Sequence, residues 1–531
     1  MITDVRSLPD GAVVEADICI VGAGAAGITL AMELLGHGFR VALLESGGLD
    51  FEDDIQSLND GDCVSEHKVD LTWTRLRYFG GTTGHWGGNC APLDALDFQE
   101  RSWVPDSGWP FGKEELAGFY PRADRYCELP SDNYEPDHWT QVSDKFQASR
   151  IPVGGDQIGE KIFLKSPPTR FGDTYRAALT KPDNQCTVFL HANVVEIETD
   201  ADAEQVVSLL TRDLDGRSRR FKAKKFILAS GLENARLLLL SNTVRPNGLG
   251  NDHDLVGRYF MAHTTIRTGR ALLSVPKGTA RFYGLDGWAS RFETGGAPFV
   301  NALQPSWEAQ KREEMLNSVV FFDETYEGEH APGFVALRHI VKQVIQGRMP
   351  ENLRTELRKV FGDLDSVAKA LYARATGDSQ YRVLELRYFA EQAPNRDSRV
   401  TLGDDRDVLG QRKMVLDWRL QDIDKHTILR TQHLIAREFG RLGAGRLQVD
   451  FENETDPWPK GVDSSAHFMG TTRMHADPKR GVVDENCRVH GIANLYVAGG
   501  SVFPTTGATM VTMNIVALAI RLADHLISKP A

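Results

Sequence analysis

Gly22, Gly24 and Gly27 stand in the spacing GxGxxG within ICIVGAGAAGITLAMELL, and Glu45 follows about 18 positions past the third glycine. Residue types at this spacing bind a dinucleotide. Gly22 permits a tight turn, Gly24 lets backbone approach a pyrophosphate, and Gly27 lets a helix lie close on a strand. Glu45 ends its strand where a carboxylate can bind a ribose hydroxyl, and Ala25 and Ser46 flank the two contact points. A second stretch, YFGGTTGHWGGN from Tyr78 to Asn89, sets an imidazole and an indole among five glycines, more than a tight turn requires.

These residues need elements to carry them. Ile18 to Val21 are a short apolar run, expected as a buried parallel strand, and Ile28, Leu30, Met32 and Leu35 follow at helical spacing. Val41 to Leu44 read as the next strand. The helix N-terminus between them offers unpaired N–H groups to phosphates. Near the other end, NLYVAGGS reads as a buried strand running into a glycine turn, and from Val511 the apolar residues Ile515, Leu518, Ala519, Leu522 and Leu526 keep helical spacing. A second helix N-terminus can therefore point at a ligand. The first motif alone does not separate FAD from NAD; its place at the N-terminal end of a large chain leans toward FAD.

A chain of 531 residues has room for two to four domains or one large bipartite one. A formal net charge of −12 argues against wholesale nucleic-acid binding. The six cysteines form no CxxC pair and show no metal spacing, so no metal site is expected and the compartment reads as reducing. The first residues lack a basic stretch leading into an apolar one, so no signal peptide is expected. No apolar run reaches about 18 residues, so no membrane span is expected. Together these point to the cytoplasm, with export alongside a signal-bearing partner left open.

The sequence resembles the glucose–methanol–choline (GMC) oxidoreductases, and within them the bacterial sugar-dehydrogenase and pyranose-oxidase branch. The resemblance rests on VGAGAAG, GGTTGHWGG, ASGLENARLLLLS, LVGRYFMAH, EQAPNRDSRVTL, HFMGTTRM and GVVDENCRVHGIANLYVAGGSVFPTTGA, in this order from end to end. It implies an α/β fold: a discontinuous Rossmann-type FAD domain, and an α+β substrate domain with an antiparallel sheet and helices. It also implies oxidation of an alcohol by hydride transfer to the flavin. In such proteins the glycine-rich segment lies against the isoalloxazine. Gly80, Gly81, Gly87 and Gly88 would bring main chain within reach of a flat ring, and Thr82, Thr83 and Asn89 would supply donors to its edge. His85 and Trp86 match the HW pair whose histidine can be linked covalently to the flavin 8α-methyl. His85 is expected beside that methyl, with the covalent bond and plain packing held as equal readings. Val194 and Val195 match the strand that meets adenine. Ala229 and Ser230 lie in the block that returns the chain to the FAD domain. Gly499, Gly500 and Ser501 would lie by the pyrophosphate or ribityl chain, and a helix starting near Ala508 would aim its dipole at the pyrimidine edge.

Alcohol oxidation needs a base for the hydroxyl proton. His467 in HFMGTTRM matches the family's catalytic histidine, and imidazole titrates near neutral pH. A second active-site residue, His or Asn, usually follows the PTxGA turn. Here that slot holds Met510, which cannot donate to an alkoxide. Asn514, one helical turn on, and Thr509 are the polar substitutes. Gln392 in EQAPNRDSRV lines the substrate side or is satisfied within the sheet. No chemistry is implied for His263; His475 reads as part of a surface turn and His490 as structural.

The expected domains are 1–110, 185–265 and 462–531 for FAD, and 111–184 and 266–461 for substrate. CTVFLHANVVEIET reads as one strand, and LELRYFAEQ and RVTL as strands of the substrate sheet. Residues from Gly333 to Gly377 read as amphipathic helix interrupted at Gly347–Pro350, packed behind that sheet or serving as a lid. The leading reading is an FAD-dependent oxidase or dehydrogenase acting on a small-molecule alcohol, sugar or glycoside. The acceptor would be oxygen, a quinone or an electron-transfer protein, and the assembly a homo- or hetero-oligomer. The rival readings are a lyase-like flavoprotein without redox turnover and the FAD-bearing subunit of a larger complex.

Overall fold

In the computed structural model, which describes residues 1–274, 282–285, 298–324, 331–345, 352–376, 383–450 and 452–529, the strand Ile18–Val21 is buried at every position. It pairs in parallel with Val41–Leu44 on one side and Lys225–Leu228 on the other. The sheet continues to Cys186–Leu190 and Ile2–Asp4 at one edge and to Leu495–Val497 at the other. Six strands from three separate stretches of the chain thus lie in one parallel sheet, whose continuous apolar runs reflect cover on both faces.

The helix Ala25–Leu34 packs against the closing helix Val511–Ser528. That closing helix meets the length and apolarity of a membrane span, contrary to the sequence reading that no such run exists. Its apolar side chains, among them Met513, Leu518 and Leu522, are buried against the rest of the chain, so the hydrophobicity serves the core.

A second sheet is antiparallel throughout, in the order Gly445–Gln448, Thr264–Leu273, Val383–Ala390, Ser318–Glu324, Phe299–Pro305, Ile158–Lys165 and Asn89–Cys90. The helix Asp422–Leu442 packs on it through Ile428, Leu434, Ile435 and Phe439, which recur at helical spacing. It ends at Gly443, which takes a left-handed φ of 64° at its C-terminus.

Three expectations change. CTVFLHANVVEIET is two strands, because His191 takes a left-handed φ of 57° and turns the chain from the parallel sheet into Asn193–Thr199 of a separate four-stranded sheet. RVTL belongs to Arg399–Arg406, which pairs with Arg412–Asp417 in a three-stranded sheet of its own. The helices Pro332–Ile345, Leu353–Gly362 and Leu364–Thr376 pack mainly on one another around Phe334, Val360 and Val367, since Asp422–Leu442 already holds the place behind the large sheet. The break expected at Gly347–Pro350 lies outside the described residues.

Candidate active site

A cavity of about 600 Å3 runs from the first glycine turn to the edge of the antiparallel sheet. At one end Gly22 takes φ +101°, and a Cβ on Gly27 would stand 1.8 Å from the Gly22 carbonyl oxygen, so helix and turn are in contact. A Cβ on Gly24 would meet nothing within 4 Å, which leaves open space at the uncapped helix N-terminus. Glu45 is buried beside this turn and accepts from the backbone N–H of Ala23 and of Gly47, each at 3.0 Å. Burial raises its carboxyl pKa, against the pull of those N–H donors. Ala25, Ser46, Val194, Val195, Ala229 and Ser230 also line the cavity.

Sequence reading passed over Arg75, Arg77 and Arg236, which line the same end and share one carboxylate. Glu233 meets them at 2.7, 3.0 and 3.3 Å respectively. Burial alone would raise the Glu233 carboxyl, yet Arg77, Arg236 and Arg75 outweigh it and hold it well below the usual range. The i, i+2 spacing of Arg75 and Arg77 in RLRYFGG was the available signal, because extended backbone puts such residues on one side.

The glycine-rich segment enters next. Gly81, Thr82, Thr83, His85, Trp86, Gly87, Gly88 and Asn89 line the cavity. Gly80 does not: a Cβ there would collide with Gly172 backbone at 2.8 Å, so its bareness serves chain packing. The indole N–H of Trp86 donates to Thr169 O at 2.8 Å, and Arg170 donates to Thr83 O at 2.7 Å, fixing the wall. The His85 imidazole has no side-chain hydrogen bond among the described residues and is exposed to the cavity. Desolvation by the wall and the charge of Arg170 lower its pKa.

At the far end stand Gly499, Gly500 and the start of the closing helix. The helix begins at Val511, later than the sequence suggested, and Met510 is its N-cap residue, which supplies no side-chain hydrogen bond. Its first N–H groups are therefore uncapped where Met510, Val511 and Thr512 line the cavity. Ala508 precedes the helix and packs in an apolar cluster with Phe163 and Phe389. Ser501 faces away, accepting from Asn234 at 3.0 Å and Thr472 at 2.8 Å.

The polar substitutes for Met510 are committed elsewhere. Asn514 Oδ1 accepts from Tyr120 Oη at 2.9 Å and Leu93 N at 3.2 Å, and its Nδ2 donates to Ala91 O and Met510 O, each at 3.2 Å. Thr509 Oγ1 donates to Ala91 O at 2.8 Å. Both side chains satisfy the buried backbone that leaves the strand Asn89–Cys90, and neither lines the cavity. Gln392 also stays outside it. Its Oε1 accepts from Ala262 N at 2.8 Å and Trp418 Nε1 at 2.9 Å, and its Nε2 donates to Arg419 O at 3.1 Å.

His467 does line the cavity. Burial pulls its pKa down to about 4, so the ring is neutral near pH 7. It follows Ser465 and Ala466, which both take left-handed φ, 53° and 55°, in a bulge that aims the next side chain. The residue that touches it is one the sequence reading set aside. His263 lies with its Nδ1 3.1 Å from His467 Nδ1. Nothing in the spacing of the two histidines signals this, because 204 positions separate them.

Fold and cavity together set a glycine turn on a parallel sheet, a glycine-rich wall and a neutral imidazole around one space, the arrangement of a dinucleotide cradle with a base beside it. Residues 394–519 match the family model described as GMC oxidoreductase. The chain is 23% identical to the fructose dehydrogenase large subunit of Gluconobacter japonicus, over 97% of this chain and 98% of that one. It is 24% identical to 6'''-hydroxyparomomycin C oxidase of Streptomyces lividus, over 96% and 92% respectively. The solved pyridoxine 4-oxidase from Mesorbium loti superposes with a TM-score of 0.56 at 17% identity, covering 97% of this chain and 100% of that one. The C-terminal part of the chain, residues 394–519, thus resembles the GMC oxidoreductases, and the relatives matched over almost its whole length are dehydrogenases and oxidases, enzymes that act on CH–OH groups. That resemblance implies FAD, and the residues present fit it: the open space at Gly24 and Gly499, two uncapped helix N-termini and the buried Glu45 carboxylate share one cavity.

Proposed function

We propose that the protein oxidises a hydroxyl of a sugar, a glycoside or a similarly bulky alcohol to a carbonyl, with His467 as the base. The observation that carries this reading is the placement of a neutral imidazole in the cavity that also holds the glycine cradle and the glycine-rich wall. Relatives named for fructose and for an aminoglycoside support the substrate class.

FAD would be held by Gly22, Gly24, Glu45, Val194 and Gly499 together with Gly87, Gly88 and Asn89 of the glycine-rich wall. When bound it supplies the acceptor for a hydride from the carbinol carbon, two electrons in all. The chain itself must remove the hydroxyl proton, and His467, uncharged and facing the cavity, takes it. The uncapped N-terminus at Val511 would favour negative charge on a group bound beside it. Arg75, Arg77 and Arg236, which share Glu233, would supply positive charge to the wall of the same cavity. The unbonded His85 supports a direct contact with the flavin ring. Denaturation in acid tests whether that contact is a covalent bond: colour that stays with the chain means a bond, and colour that washes away means none.

An anaerobic panel of ketoses, aldoses, glycosides and simple alcohols, read at the flavin absorbance, tests the function. Bleaching by a sugar or glycoside is the expected result. A flavin that stays oxidised with every alcohol would overturn the reading. Reoxidation in air against reoxidation by an artificial acceptor then separates oxidase from dehydrogenase.

A further inference from the structure

Two remote segments bring the two histidines together. Met261 and Met469 exchange backbone hydrogen bonds at 3.0 and 2.8 Å, and Thr265 and Asp463 exchange theirs at 2.9 Å each. Between these clamps the imidazoles of His263 and His467 meet Nδ1 to Nδ1 at 3.1 Å, with ring planes 88° apart. The other nitrogen of His263 lies 3.0 Å from Gly507 O and 3.3 Å from Thr506 O.

The protons can be placed from these contacts. Carbonyl oxygens only accept, so Nε2 of His263 carries a hydrogen. His263 is fully buried, tilted against Phe389 at 4.4 Å between ring centroids. Burial, and then the facing His467, hold its pKa well below the usual value, so it stays neutral. A neutral imidazole has one N–H, which leaves Nδ1 of His263 as a bare acceptor. The hydrogen between the rings must then belong to His467 Nδ1. His467 is neutral too, so its lone pair lies on Nε2, which has no hydrogen-bond partner among the described residues.

We infer that His263 is a positioning residue that locks His467 in its Nδ1–H tautomer and so presents a bare Nε2 to the substrate hydroxyl. The inference rests on the proposed role of His467. In the opposite tautomer two lone pairs would face each other at Nδ1, and the cavity would meet an N–H donor unable to take a proton. In the step so prepared the substrate O–H bond breaks and an Nε2–H bond forms. His467 becomes an imidazolium whose Nδ1–H bond to His263 strengthens with its charge. Fixing the tautomer of a base through a third group is a general requirement of such proton transfers.

Nitrogen-15 NMR of histidine-labelled holoenzyme reads the tautomer directly, with the His467 signals assigned by their loss in His467→Gln. The wild type is expected as Nδ1–H at neutral pH. His263→Leu, which keeps bulk but removes the acceptor, should lose that preference. It should slow the limiting rate of flavin reduction at least about tenfold, with the apparent substrate Kd little changed. His263→Asn, whose amide oxygen can accept from Nδ1–H, should keep the tautomer and recover most of the rate. An Nε2–H signal for wild-type His467, or wild-type tautomer and rate in His263→Leu, would overturn the inference. If the leucine variant does not fold, the wild-type and asparagine spectra decide alone. A confirmed tautomer in an enzyme that no alcohol reduces would defeat the proposed function and leave the pairing intact.

Discussion

A Cβ on Gly81 would stand 3.2 Å from the Cα of Gly24, and Gly81 itself takes φ +54°. The glycine-rich wall therefore rests on the first glycine turn, and Gly80 N donates to Ala23 O at 2.8 Å beside that contact. Gly81→Ala places a side chain in left-handed backbone, at about 1–2 kcal/mol, and presses on Gly24 as well. Lower thermal stability and less flavin retained after dialysis are expected. A variant with wild-type melting and full flavin content would show that this contact tolerates a methyl group.

His467→Ala should retain flavin, since no described hydrogen bond of its side chain reaches the cradle. It should slow flavin reduction by at least about a hundredfold, the scale of a well-placed base. In the wild type the imidazole is neutral until its pKa of about 4, so the reduction rate should be flat from neutral pH downward and fall only as pH approaches that value. Rapid-mixing absorbance measures both, and undiminished reduction in the variant would remove His467 from the reaction.

Arg101 and Glu391 form a bidentate pair at 2.8 and 2.6 Å, with side chains 1% and 0% exposed. It ties the loop after the strand Asn89–Cys90 to the end of the strand Val383–Ala390. Removing one partner strands a buried charge, so Arg101→Met should cost about 3–5 kcal/mol in denaturant unfolding. Adding Glu391→Gln should restore part of that loss. A double variant no more stable than the single one would contradict this account.

Asp94, Asp97 and Glu391 lie together with only Lys161 and Arg101 as their cationic partners in the ion pairs described, one positive charge too few. Burial, then Asp94 and Glu391, push Asp97 up to about 7. An unfolded aspartate titrates near 4, so the folded chain holds a proton that the unfolded chain has released. This stability is fully present below the unfolded value and is lost as pH rises through about 7. The melting temperature of Asp97→Asn relative to wild type should therefore increase with pH across that window. A constant difference would mean that Asp97 stays ionised.

The sequence by itself determined the dinucleotide cradle and the class of chemistry. Turn, strand and helix of Gly22, Gly24, Gly27 and Glu45 are local, so spacing alone expresses them, and the glycine-rich wall was legible for the same reason. Only the tertiary structure decided which polar groups reach the cavity. Asn514 and Thr509 had the right chemistry at the right helical step, yet the backbone of Ala91 and Leu93 claims them. His263 had no signal at all, because its partner lies across two antiparallel segments that meet only in the folded chain. A side chain's role depends on which nitrogen is bare and which carbonyl stands opposite, and long-range packing, not sequence spacing, sets both.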